Sequence, residues 1–170
     1  MIRNEMPQET YLTLADWYLA VGANDDAMEI LNTAPAHPEV HYWRAWLKDQ
    51  QLKGSGRSEW EAGNNLSPDL VFPFRARSAT VLQWVATQTD RWEPRYYLAL
   101  IHGSRNNRTA ALQWLREAGT PAYSGFYAAL AALDPSQALS HLRKGESLNP
   151  NQWRFGKLIS ERLIAEGKAK

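Results

Sequence analysis

The sequence predicts an all-α fold of about ten helices stacked as antiparallel pairs, and three observations carry that expectation. Apolar and small residues recur at helical spacing almost throughout, with no alternating pattern long enough for a useful strand. Gly, Pro, Asn and Asp cut the chain into short segments. The spacing of small residues in one part of the chain then recurs in another.

The elements follow in order. In the first segment Tyr11, Leu14, Ala15, Tyr18 and Leu19 share a face, and Gly22 ends the helix as a C′ residue. Asn24 and Asp25 supply the cap of a second helix striped by Ala27, Ile30, Leu31 and Ala34. After Pro38 a third helix runs through EVHYWRAWLKDQQL to the turn Gly54-Ser55-Gly56. A fourth runs from Arg57 to Leu66 and stops at Ser67-Pro68. Beyond the proline-containing loop DLVFPFR lies an extra helix, residues 77–89. The pattern resumes with RYYLALIHGSR, RTAALQWLREAG, GFYAALAAL and PSQALSHLRKGESL. The helix pairs thus cover about 8–34, 37–66, 94–119 and 122–148, and a terminal helix, capped by Asn151, covers 151–167. That helix reads as the first of another pair, so it is either a solvating cap of the array or the edge of a longer protein.

Composition narrows the function. A chain of 170 residues suits one domain with a real core. Nineteen Lys and Arg against 18 Asp and Glu give a net charge of +1, which argues against a nucleic-acid binder. The balance is uneven: residues 1–66 sum to −5 and residues 67–170 to +6. No apolar run is long enough for a membrane span, and the start lacks the apolar core of a signal peptide, which favours the cytoplasm without fixing the compartment. With no cysteine there is no disulfide framework and no thiolate nucleophile or ligand.

Internal spacing is the most informative feature. Ala15, Ala27 and Ala34 are separated by 12 and 7 residues, and so are Ala99, Ala111 and Ala118. Gly56, Trp60, Gly63 and Pro68 step by 4, 3 and 5, as do Ala138, Leu142, Gly145 and Pro150. Small residues are needed where helix axes cross closely, and proline ends the unit. The frame Tyr11-x2-Leu14-Ala15-x2-Tyr18, Ala27-x3-Leu31, Ala34, Pro38, with its partner Leu98-Ala99-x2-His102, Ala111-x3-Leu115, Ala118, Pro121, resembles the tetratricopeptide repeat family. That resemblance implies a short right-handed superhelical solenoid and a non-catalytic scaffold that binds a protein or peptide segment in a concave groove lined by the first helices. The family period of about 34 residues is not kept: Gly56 to Ala111 spans 55, a surplus matching the helix at 77–89. The segments FPFR and WEPRYYLAL also resemble the repeat region of large bacterial proteins with a sugar-enzyme-like domain. An alternative is therefore an accessory or docking region of a larger, carbohydrate-active enzyme.

Chemical signals are sparse. His37 and His41 in HPEVH are four apart, but zinc needs a third ligand and none is identifiable, so no metal or cofactor is expected. Gly54-Ser55-Gly56-Arg57 has neither a preceding strand nor a following Lys-Ser/Thr pair, and reads as an interhelical turn. Glu59 and Glu61 are two apart and diverge around their helix. No catalytic motif occurs, and the chain is read as not an enzyme.

Aromatics are the functional lead. Taken relative to the small residue of each first helix, the groove side is expected to present Glu9, Leu12 and Asp16, then Tyr42, Trp46 and Asp49, then Tyr96 and Leu100, then Arg154, Lys157 and Glu161. Of these, Tyr42, Trp46, Asp49, Tyr96, Leu100, Arg154 and Lys157 are the candidate binding residues. Trp17, Trp60, Trp84 and Trp114 read as packing. Chaperone-binding members of the resembled family clamp a terminal carboxylate with Lys and Asn; Leu12 and Asp16 stand at the matching places, and an acidic Asp16 would repel such a ligand.

Overall fold

A computed structural model describes residues 6–51 and 56–167. Those residues form ten helices and no strand: α1 (Gln8–Ala20), α2 (Asn24–Thr33), α3 (Pro38–Gln50), α4 (Arg57–Asn64), α5 (Ala76–Gln88), α6 (Trp92–Ser104), α7 (Arg108–Ala118), α8 (Ser124–Leu133), α9 (Ala138–Leu148) and α10 (Trp153–Ala165). The expected extra helix is α5. Residues 52–54 of the Gly54 turn lie outside the described residues, as does Ser55. The helices group into two compact units, one reaching to Pro94 and the other starting at Arg95, with α6 beginning in the first and continuing in the second.

In the first unit α1 packs on α2 and α3 on α4, each pair folded back by a short connection. The turn after α1 is a Schellman motif: Gly22 has φ +80°, its N–H donates to the Leu19 carbonyl, and the Ala23 N–H donates to the Tyr18 carbonyl at 2.9 Å. In the second unit the same turn follows α6, where Asn106 holds φ +58° and the Asn107 N–H reaches the His102 carbonyl at 2.9 Å. The two frames of small residues therefore share a turn as well as a spacing, although glycine builds one turn and asparagine the other. Two expected caps are displaced. Asn24 lies inside α2, whose cap position is Ala23, and Gln152 rather than Asn151 precedes α10; neither cap residue makes a side-chain capping bond to its helix.

The repeated step of 4 and 3 residues marks where helices touch. A Cβ on Gly56 would run into the backbone of Ala45, and one on Gly63 would stand 2.8 Å from the Tyr42 ring. Both contacts lie between α3 and α4, so these helices approach at glycine. Gly145 in α9 receives the ring of Phe155 from α10 in the same way. Ala138, Leu142, Phe155 and Ala131 form one buried cluster, flanked by Ala128 and Ile159.

Polar groups tie α5 to its neighbours. Glu39 on α3, almost fully buried, accepts from the Ser78 hydroxyl of α5, and Ser78 in turn accepts from Trp43 Nε1 at 3.3 Å. The second oxygen of Glu39 has no hydrogen-bond partner among the described residues. Burial pushes the Glu39 carboxyl up to about 7, despite the bond from Ser78. At the start of α5, Arg75 donates to Glu9 at 2.6 Å, to the Glu9 carbonyl at 3.0 Å and to the Thr13 hydroxyl at 2.7 Å. Arg77 pairs with Asp16.

Two stability experiments follow from this packing. Gly56→Val is expected to destabilise the fold by about 2–3 kcal/mol, read as a strongly lowered urea midpoint, because backbone faces the new side chain. Asn106→Ala is expected to cost about 1 kcal/mol, and Asn106→Gly to be neutral or stabilising. For Glu39 the folded carboxyl titrates above its ordinary value, so the fold favours the protonated form. Wild-type stability attributable to Glu39 is full below about 4.5 and declines as pH rises toward about 7. Urea denaturation across that window should show the decline in wild type and a flatter profile in Glu39→Gln.

Candidate functional site

The first unit closes much of the groove face expected of it. Glu9, Leu12 and Asp16 do share one side of α1, but α5 reaches that side: Arg75 takes Glu9 and Arg77 takes Asp16. Leu12, one turn from each, is fully buried. These residues form an intramolecular contact. Tyr42 is also fully buried, because it shares with Ala45 the side of α3 that meets α4. Its hydroxyl donates to Asn64 Oδ1 at 2.8 Å. It supports the helix pair and has no surface to offer a ligand. Trp46 is half-buried and Asp49 is exposed.

Trp17 corrects the sequence reading in the opposite direction. It was expected to pack, yet it is 68% exposed, at the edge of a hollow of about 530 Å³ lined by Glu9, Thr10, Thr13, Leu14, Phe74 and Arg75. The loop before α5 supplies Phe74 and Arg75 to the same hollow. Val71 and Pro73 turn inward while Phe72 and Phe74 turn outward, and the Arg75 guanidinium lies 4.5 Å from the Phe74 ring centroid.

The histidines of HPEVH serve structure. His37 caps α3, its Nδ1 accepting from the Glu39 N–H at 3.3 Å, and burial holds its imidazole below the ordinary value. His41 Nδ1 lies 3.0 Å from Glu59 Oε2, while Arg44 and Lys48 donate to the other oxygen at 3.0 and 2.7 Å. Burial alone would raise the Glu59 carboxyl; the three donors outweigh it and hold the group below its usual range. Glu61 pairs instead with Arg57 at 2.7 Å, so the two carboxylates do not meet. Among the described residues no cluster of three or more His, Asp or Glu is set to hold a metal ion. No helix among them is long and apolar enough to cross a membrane.

The second unit carries a different kind of surface. Tyr96 packs with Tyr97, Tyr123 and Phe126 at ring-centroid distances of 5.6, 5.7 and 5.9 Å, the Tyr123 ring edge-on at 80°. Phe126 meets Tyr127 at 5.5 Å. This cluster is largely buried and fixes α6 against α8. One turn further along the same two helices the side chains become small, and a hollow of about 580 Å³ opens between Ala99, Leu100, Gly103, Ala129, Ala132 and Leu133, with Arg108 at its rim. A second hollow, about 400 Å³, adjoins it at Ala132 and runs toward α10 over Ala128, Ala131, Ala138, Leu142 and Leu158. Arg162 and Glu161 edge it, Arg162 being held by Glu166 at 2.7 Å and by the Pro135 carbonyl at 2.7 Å.

Of the candidate residues, Leu100 therefore lines a hollow and Tyr96 packs behind it. Arg154 and Lys157 are exposed on α10 but do not line either hollow. The alanines of AALAAL, which form most of the lining on α8, were not singled out in the sequence. The available signal was a run of alanines longer than one buried face of a helix can use.

No family model matches the chain, and no curated protein matches it. Among solved structures it is similar to MamA 41-end from Desulfovibrio magneticus RS-1, with a TM-score of 0.52 and 14% sequence identity over 95% of this chain and 86% of that one. MamA contains tetratricopeptide repeats, and the likeness supports a tetratricopeptide-like helical repeat fold for this chain.

Proposed function

We propose that this chain is a non-catalytic protein-interaction scaffold whose second unit takes an apolar segment of a partner protein into the trough over α6, α8 and α10. The carrying observation is the pair of adjoining hollows that share Ala132, floored by alanine and leucine and edged by Arg108, Glu161 and Arg162. An apolar floor with a charged rim is the anatomy of a protein-binding patch, and first helices provide most of it. The arrangement departs from the aromatic lining expected of the sequence, because the aromatics are used one turn earlier to hold α6 to α8. The fold likeness to a repeat scaffold is consistent with this reading.

Ala132 is exposed and common to both hollows, so Ala132→Glu should leave circular dichroism and melting unchanged. Peptides selected on the wild-type protein from an amphipathic-segment display library should bind that variant at least about tenfold more weakly, a loss of about 1.4 kcal/mol. The control Ser140→Glu, on the exposed part of α9, should bind like wild type. Equal binding to Ala132→Glu would remove the trough as the site.

The second reading, an accessory region of a larger carbohydrate-active enzyme, is favoured by the exposed Trp17, Phe72 and Phe74 of the first unit. Tryptophan fluorescence titrated with a panel of oligosaccharides separates it from the first. A response lost in Trp17→Ala supports sugar stacking, and no response in wild type removes it.

A further inference from the structure

Helix α10 has two sides of different character. Phe155, Ile159 and Leu163 fall on the side turned into the unit, with Phe155 buried and Ile159 packed on the cluster of Ala131, Ala138 and Leu142. At 100° per residue the opposite side carries Trp153, Lys157, Ser160, Glu161 and Ile164, all exposed. Trp153 and Ile164 are 69% and 66% exposed, a large apolar group at each end of a 13-residue helix. Between them Lys157 and Glu161 lie 3.7 Å apart.

Read along the helix, this face runs apolar, basic, acidic, apolar. Reversed, the order is complementary to the original. We infer that the outer face of α10 is a self-association surface, pairing antiparallel with α10 of a second copy about a twofold axis near Leu158 and Ile159. Trp153 then meets Ile164 of the second copy, and Lys157 faces Glu161 of the second copy, each contact occurring twice as an isologous interface requires. The other orientation is disfavoured, since a parallel pair in register would set Lys157 on Lys157 and Glu161 on Glu161. The contact is small. A helix of 13 residues is about 20 Å long, which places a two-helix interface at the low end of specific contacts. The surface goes beyond the proposed trough, which uses Leu158, Arg162 and Ala165 on another side of α10, with Glu161 at the border.

The test is sedimentation velocity on the full chain from about 5 to about 300 µM, a range that spans weak self-association. Wild type should pass from monomer to dimer. Lys157→Glu and Glu161→Lys, each at an exposed position and checked for fold by circular dichroism, should weaken association at least about tenfold by placing like charges together. The double exchange should restore it. An equimolar mixture of the two single variants should also restore it, although neither chain then keeps its own Lys157–Glu161 pair. That arm separates pairing between molecules from a stabilising effect within the helix. A monomer throughout the range, a dimer indifferent to both charge changes, or a mixture no stronger than its components would each overturn the proposal. Ala132→Glu should leave the dimer intact, so the failure of the trough and the failure of this surface are distinguishable.

Discussion

Everything in this chain depends on how closely two helices can approach. An axis-to-axis crossing is set by the smallest residues at the point of contact, and here those residues recur at fixed steps. Gly56 meets the backbone of Ala45, Gly63 accepts the ring of Tyr42, and Gly145 accepts the ring of Phe155. Fixing these crossings also fixes which sides of each helix are consumed by packing. The trough on the second unit is what remains once the aromatic end of α6 and α8 has been packed and the alanine end has not been filled.

The polar contacts act on top of that packing. Arg75 binds α1 through a carboxylate, a carbonyl and a hydroxyl, a set of bonds that defines one position for the start of α5. Glu39 links α3 to α5 through Ser78 while remaining poorly solvated. The two cases differ in sign. The partly solvated ion pairs lower the free energy of ionised carboxylates, as at Glu59, whereas Glu39 is asked to remain buried with one oxygen unsatisfied. A balance between these opposing groups makes the stability of the first unit depend on pH from both ends.

Helices and turns were legible because their causes are local. A C′ glycine, an apolar stripe and a terminating proline act within a few residues, so each expected helix is present within a few residues of its expected limits. The turn at Asn106 is less legible, because asparagine tolerates positive φ without marking it as glycine does. The site was less legible, for a different reason. Spacing puts Glu9 and Asp16 on one side of α1, but their partners Arg75 and Arg77 lie more than 60 residues away, and no pattern in one sequence reports such a pairing. Spacing puts Tyr42 on the groove side, whereas in the structure it shares with Ala45 the side of α3 that meets α4. Trp17 erred the other way: periodicity marks a face as apolar without saying whether anything covers it.

The alanine floor of the trough has a consequence for selectivity. An alanine side chain has no rotamers to freeze, so a ligand settling on Ala128, Ala129 and Ala132 would order almost nothing on the protein's side. Such a surface behaves as a rigid mould of shallow relief. The shape of whatever enters is then read by its bulk, and discrimination among ligands would rest on where they carry large side chains rather than on any adjustment of the groove.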